Sequence, residues 1–253
     1  MSKYLPALLG ASMLVIAAPS QAALYDITYT GVVSSGYDQT GVFLGNNTDL
    51  TGQAFTAVFT LNYPVPAGAY DFSDPTYQQL LGGDYYGSPS FLNAKITING
   101  KTDTVSGQFY DHALNQYYPG QDYVYHVSQD YIGGPTLYKN NQIYSYIQST
   151  NDNYLIGPDI TQSLNYTADS NDFTGGYFNF SQDIDADGAY EKYAYGNLVP
   201  SNVTVSVSAV PEQSTWAMMI TAFGFAGTAF RRQKPGDSRP YRNVGFKCGA
   251  TTA

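Results

Sequence analysis

Ala54-Phe-Thr-Ala-Val-Phe-Thr-Leu-Asn-Tyr63 decides the reading of this chain. Phe55, Ala57, Phe59, Leu61 and Tyr63 fall on every second position, with Ala54, Thr56, Val58, Thr60 and Asn62 between them. Side chains alternate across a strand, so this spacing gathers an aromatic and aliphatic row on one face. Leu92, Ala94, Ile96 and Ile98 repeat the pattern further along, and Asn99-Gly100 offers a tight hairpin turn into a partner strand over 102–110. Val203, Val205, Val207 and Ala209 alternate with Thr204, Ser206 and Ser208 near the other end. Half-buried antiparallel strands produce such alternation.

Shorter strand-like runs cover 25–33, 123–127, 143–148, 161–166, 176–180 and 190–195. Gly82-Gly83-Asp84, Tyr118-Pro119-Gly120, Gly133-Gly134-Pro135 and Gly157-Pro158 punctuate them. No stretch has the length and period of a crossover helix, and no repeat recurs at a fixed spacing. The expected architecture is therefore all-β, an antiparallel β-sandwich or jelly roll over residues 23–210. A β-solenoid should display a repeat. The segment 111–141 otherwise reads poorly and is expected to hold long loops around the 123–127 run.

The two ends differ from this body. Lys3 precedes an uncharged run from Leu5 to Ala18, and Ser20-Gln21-Ala22 places small residues where a signal peptidase cuts, so residues 1–22 read as a secretory signal. Residues 211–234 contain an uncharged run of 16 residues from Thr215 to Phe230, about 24 Å long as a helix against a hydrocarbon core of about 30 Å. Glu212 lies before that run and Arg231, Arg232 and Lys234 after it, the order expected of a short transmembrane helix with its basic end cytoplasmic. Residues 235–253 are polar, basic and aperiodic, and are expected to be disordered. The only cysteine, Cys248, lies there, so the body has no disulfide and no thiolate chemistry.

Val210-Pro211-Glu212-Gln213-Ser214-Thr215-Trp216-Ala217, the apolar stretch after it and Arg231-Arg232 together resemble a PEP-CTERM sorting signal in its Trp-Ala-containing form. Pro211 and Glu212 match the opening of that motif, Trp216 and Ala217 its second element, and Arg231 and Arg232 its stop; Gln213 stands where the family has a second proline. The resemblance implies recognition by an exosortase, an intramembrane cysteine transpeptidase linked with exopolysaccharide production. It further implies a transient membrane association and final residence in the envelope or outside the cell.

Charge separates body from tail. Residues 23–210 hold 18 Asp/Glu against four lysines, a formal net of −14, whereas the residues from Pro211 onward carry a net of +4. No basic patch is available in the body to neutralise phosphates, which argues against a nucleic-acid partner. Of the chain's 25 tyrosines, 23 lie in the body. Tyr123 and Tyr125, and likewise Tyr144 and Tyr146, are two apart, so on a strand each pair shares a face and could stack on sugar rings. The competing explanation is that tyrosine is a good strand former that fills a core edge with its hydroxyl in water.

Asp183, Asp185 and Asp187 followed by Gly188 reproduce the first six positions of an oxygen-rich calcium loop, with Glu191 at position nine. Position 12 is Ala194, so the closing glutamate is missing, and a solvated acidic turn explains the run equally simply. His112 and His126 are the only histidines, and neither a nucleophile elbow nor a phosphate-cradling glycine loop occurs. The expectation is an exported protein without catalytic activity, structural or associated with exopolysaccharide. Its alternatives are a calcium-assisted carbohydrate-binding module and a secreted glycan-active enzyme using a carboxylate pair.

Overall fold

A computed structural model describes residues 23–185 and 187–208. Thirteen strands make up the body: β1 (Ala23–Asp38), β2 (Thr48–Asp49), β3 (Ala54–Tyr63), β4 (Tyr70–Asp74), β5 (Tyr77–Gly82), β6 (Leu92–Ile98), β7 (Lys101–Val105), β8 (Tyr110–Gln116), β9 (Tyr123–Ile132), β10 (Tyr138–Gln148), β11 (Leu164–Thr167), β12 (Phe173–Asp183) and β13 (Lys192–Val207). Among the described residues the one other regular element is a single 3₁₀ turn, Asp84–Tyr86. Among the described residues no helix is long and apolar enough to cross a membrane.

The all-β, antiparallel reading holds for the described residues. Its strands do not divide into the two sheets of a sandwich or jelly roll. They join one antiparallel sheet in the order β4-β5-β8-β9-β10-β12-β13-β1-β3-β6-β7, with β2 beside β1 and β11 beside β13. Twist makes a sheet of this width curl, and here it curls into a half-barrel whose β6–β7 end packs against β8, β9 and β10. The segments expected as separate strands over 190–195 and 203–209 are parts of the single 16-residue β13, which pairs with β12, β11 and β1. The segment 111–141, expected to hold long loops around a strand at 123–127, instead carries most of β8, all of β9, of which 123–127 is the first half, and the start of β10.

The alternating row of β3 does what its spacing requires. Phe55, Ala57, Phe59 and Leu61 are buried together with Ile27 and Tyr29 of β1, Leu92, Ala94, Ile96 and Ile98 of β6, and Phe178 and Phe180 of β12. At the β6–β7 hairpin Asn99 and Gly100 both take positive φ, 51° and 75°, the primed-turn geometry that matches strand twist. Phe43, from the connection between β1 and β3, inserts edge-on against Phe178 and Phe180, with centroids 5.4 and 5.8 Å away.

Carboxylates hold the curl shut from inside. Asp38 is fully buried and accepts four backbone N–H bonds, from Gly41, Val42, Phe43 and Leu44, at 2.7–2.8 Å. Asp111 on β8 is also fully buried and accepts from Ser90 Oγ at 2.6 Å, from the N–H of Phe91 at 3.0 Å and from the N–H of Leu92 at 3.2 Å. These bonds tie β8 to the start of β6, near the opposite end of the sheet order. Asp130 on β9 takes the Ser106 hydroxyl at 2.6 Å and pairs with Lys139 at 2.9 Å. Tyr29 and His126 Nδ1 meet across the interior at 2.8 Å.

Candidate functional site

Strand parity divides β8, β9 and β10 into two faces. The buried parity of β9 carries Val124, His126, Ser128 and Asp130; the other carries Tyr123, Tyr125, Val127, Gln129 and Tyr131. On β10, Ile143, Ser145 and Ile147 turn inward while Gln142, Tyr144, Tyr146 and Gln148 turn outward. Register then sets these rows side by side: Tyr125 opposes Tyr146, Gln129 opposes Gln142 and Tyr144 opposes Tyr177 of β12.

The four tyrosines singled out by spacing come together on this outward face. Tyr123 and Tyr125 stack at 6.1 Å with planes 26° apart; Tyr123 meets Tyr146 at 5.9 Å and Tyr125 meets Tyr144 at 6.2 Å. Tyr177, not foreseen from the sequence, prolongs the row beyond Tyr144 at 6.2 Å. All five rings are half-buried, each presenting part of its surface to solvent. Gly175 of β12 lies opposite Tyr146, and a Cβ placed there would fall 2.7–2.9 Å from its ring, so the missing side chain lets the ring lie across the backbone.

On the other side of Tyr125 stands His112 of β8, its ring 5.1 Å away. His112 Nδ1 lies 3.2 Å from the Tyr110 hydroxyl and Nε2 lies 2.9 Å from the Gln79 amide. Burial lowers its pKa to about 4, which keeps the imidazole neutral near pH 7. Burial, reinforced by the neighbouring phenols Tyr144 and Tyr86, raises Tyr125 to about 12, and burial raises Tyr123 and Tyr177 as well. Tyr123, Tyr125 and Tyr177 consequently remain protonated, each able both to donate and to accept a hydrogen bond.

The acidic trio also gathers. Asp183, Asp185 and Asp187 each offer a carboxylate oxygen, and these oxygens lie within 4.8 Å of one another. Asp183 is nine-tenths buried: its Oδ2 accepts the Gly188 N–H at 2.9 Å, while Oδ1 has no protein partner. An acceptor buried without a partner carries a desolvation cost that a bound cation would offset. Glu191 is engaged elsewhere, its Oε2 accepting the Ile184 N–H at 2.8 Å. Asp183 ends the outward row of β12, and Tyr190 in the same turn meets Tyr138 at 6.3 Å and Tyr193 at 5.1 Å.

The sorting residues Pro211, Glu212, Trp216, Ala217, Arg231 and Arg232, and the secretory signal over 1–22, lie outside the described residues. Comparison of the chain with protein-family models, with curated proteins and with solved structures found no match.

Proposed function

We propose that this chain is an exported, noncatalytic component of an extracellular matrix whose β-body binds polysaccharide on the outward face of β8, β9, β10 and β12. The observation that carries this reading is the convergence of Tyr123, Tyr125, Tyr144 and Tyr146 into one partly exposed row with glutamines beside it. Aromatic faces pack on the C–H faces of sugar rings while amides and phenols hydrogen-bond their hydroxyls, a division of labour typical of ligand sites. Export by signal peptidase, and handling by an exosortase at Pro211 to Arg232, would deliver that face to the exopolysaccharide of the producing cell.

Affinity electrophoresis of the full chain in gels containing that polysaccharide tests the reading. Retardation should fall at least about tenfold in effective affinity when Tyr125 and Tyr144 are both changed to alanine, a loss of about 1.4 kcal/mol. Unretarded wild-type protein would remove the proposal. For the export route, intact mass of the protein from cells with and without exosortase should differ by the C-terminal segment, and identical masses would remove that step.

The Asp183 trio favours a second element, calcium at the rim of the same face, because an enclosed carboxylate oxygen there lacks a partner. Calorimetric titration with calcium chloride should give one site, lost in Asp185→Ala. No heat on titration would exclude it.

A further inference from the structure

We infer that the polysaccharide taken by this face is an uncharged one, a neutral glycan and not a uronate or sulfated chain. The inference rests on the tyrosine face being the contact surface and adds the class of ligand. Its basis is where the chain puts its charges. Residues 23–210 contain 18 carboxylates and four lysines, yet on β5, β8, β9 and β10 the outward parity carries no charged side chain. Across these strands it presents tyrosine, glutamine, Leu81, Asn140 and His112, with Leu114 and Val127 buried among them, and the only charge in the neighbouring outward row of β12 is Asp183 at its rim.

Each lysine is turned away or used. Lys139 sits on the inward parity of β10, bound to Asp130 at 2.9 Å. Lys192 is bound to Asp103 at 2.7 Å and lies 5.8 Å from the Phe180 ring on the core side of β13. Lys101 donates to the carbonyls of Gly41 and Leu44, and Lys95 stands on β6, outside the tyrosine strands. Residues 23–210 contain no arginine. His112, the only titratable cation of the face, is kept neutral by its surroundings near pH 7.

Among the described residues of this face a polyanion would find no cation to replace its counterions, and the net negative field of the body would repel it. A neutral chain meets neither penalty. Glutamine repeats on the face, at Gln79, Gln116, Gln129, Gln142 and Gln148; Gln79 and Gln129 each engage their amide nitrogen with a neighbour, His112 and Asn140, and the remaining amide groups can donate to and accept from sugar hydroxyls without desolvating a charge.

The test compares the full chain in gels containing a neutral β-glucan, a neutral galactomannan or polygalacturonate, at low and high salt. The expected result is retention by at least one neutral polymer, little changed by salt, and at least about tenfold weaker retention by polygalacturonate. Gln142→Lys should then raise retention by polygalacturonate, in a salt-sensitive way. Wild-type retention by polygalacturonate that fades with salt and is lost in the Tyr125→Ala, Tyr144→Ala variant would overturn the ligand class while leaving the tyrosine face standing. Neutral retention that survives the double substitution would overturn both, as would no retention by any polymer or by the producing cell's own polysaccharide.

Discussion

The inward and outward faces of the same strands handle polar groups in opposite ways. On β8 and β9 the inward positions Asp111, His126, Ser128 and Asp130 are buried and tied to backbone or side-chain partners, while the outward positions Tyr110, His112, Tyr123 and Tyr125 stay partly open and uncharged. On these strands an acidic chain has thus placed its ionisable groups inward as clasps and left an aromatic, amide-rich surface outside. A buried carboxylate is costly unless donors surround it, and Asp38 and Asp111 offset that cost with backbone N–H groups that would otherwise be unpaired.

The contrast is broken most severely at Asp38. Asp38→Ala strands four N–H groups, each costing about 1 kcal/mol or more when buried, so a loss of about 4 kcal/mol is expected in urea denaturation. A loss below about 1 kcal/mol would show that water replaces the carboxylate at no cost.

A change of pH probes the same contrast through Asp111. Burial raises its pKa to about 7, against the lowering influence of Ser90, the N–H groups of Leu92 and Phe91, and Ser128. With a folded pKa above the unfolded one, its contribution is full below about pH 4 and is lost as pH rises through about 7. Relative to Asp111→Asn, the wild type should gain on the order of 2–3 kcal/mol between pH 8 and pH 5. Equal pH profiles for the two proteins would refute the shift.

His126 has the opposite sign. Its pKa is lowered to about 3, chiefly by burial and further by His112, so its contribution is present above about pH 6.5 and lost as pH falls toward 3. Between pH 8 and pH 5, His126→Gln should lose on the order of 2 kcal/mol less than wild type, measured by the same denaturation series. A loss as large as that of the wild type would place the imidazole in contact with water.

The smallest effect belongs to the outward face. Gly175→Ala should displace the Tyr146 ring with a stability change within about 1 kcal/mol, because the ring can move and alanine is the better strand former. Polysaccharide retention should weaken about two- to threefold. Unchanged retention would mean that the ring's seat on the glycine is irrelevant to binding.

The legibility of the sequence follows the same division between faces. β3, β6 and the Asn99-Gly100 turn could be read because their apolar parity points inward and the turn chemistry is local. β8 and the second half of β9 were illegible, and 123–127 only weakly strand-like, because their parity is inverted: the inward row is largely Asp, His and Ser, and the outward row is rich in aromatics. The single curled sheet was hidden for another reason, since its closure rests on bonds such as Asp111 to Phe91, twenty residues apart and invisible to periodicity. Spacing placed Tyr123 with Tyr125 and Tyr144 with Tyr146, but only register joined the pairs and added Tyr177 and His112. The acidic spacing grouped Asp183, Asp185 and Asp187, whereas Glu191 turned to a backbone amide.

β1 and β13 are antiparallel neighbours, with Tyr25 opposite Val207 and the Ser208 N–H bonded to the Leu24 carbonyl at 2.7 Å. The first and last described strands therefore leave the body at one corner. Tension applied between the two ends of the body would peel β1 from β13 one residue pair at a time, beginning at that corner, and would never load the ladder as a whole. A body fastened by one end only escapes this weakness. Removal of whatever precedes Ala23 would leave the C-terminal side as the sole tether, and the zipper could then be pulled only by a partner gripping β1.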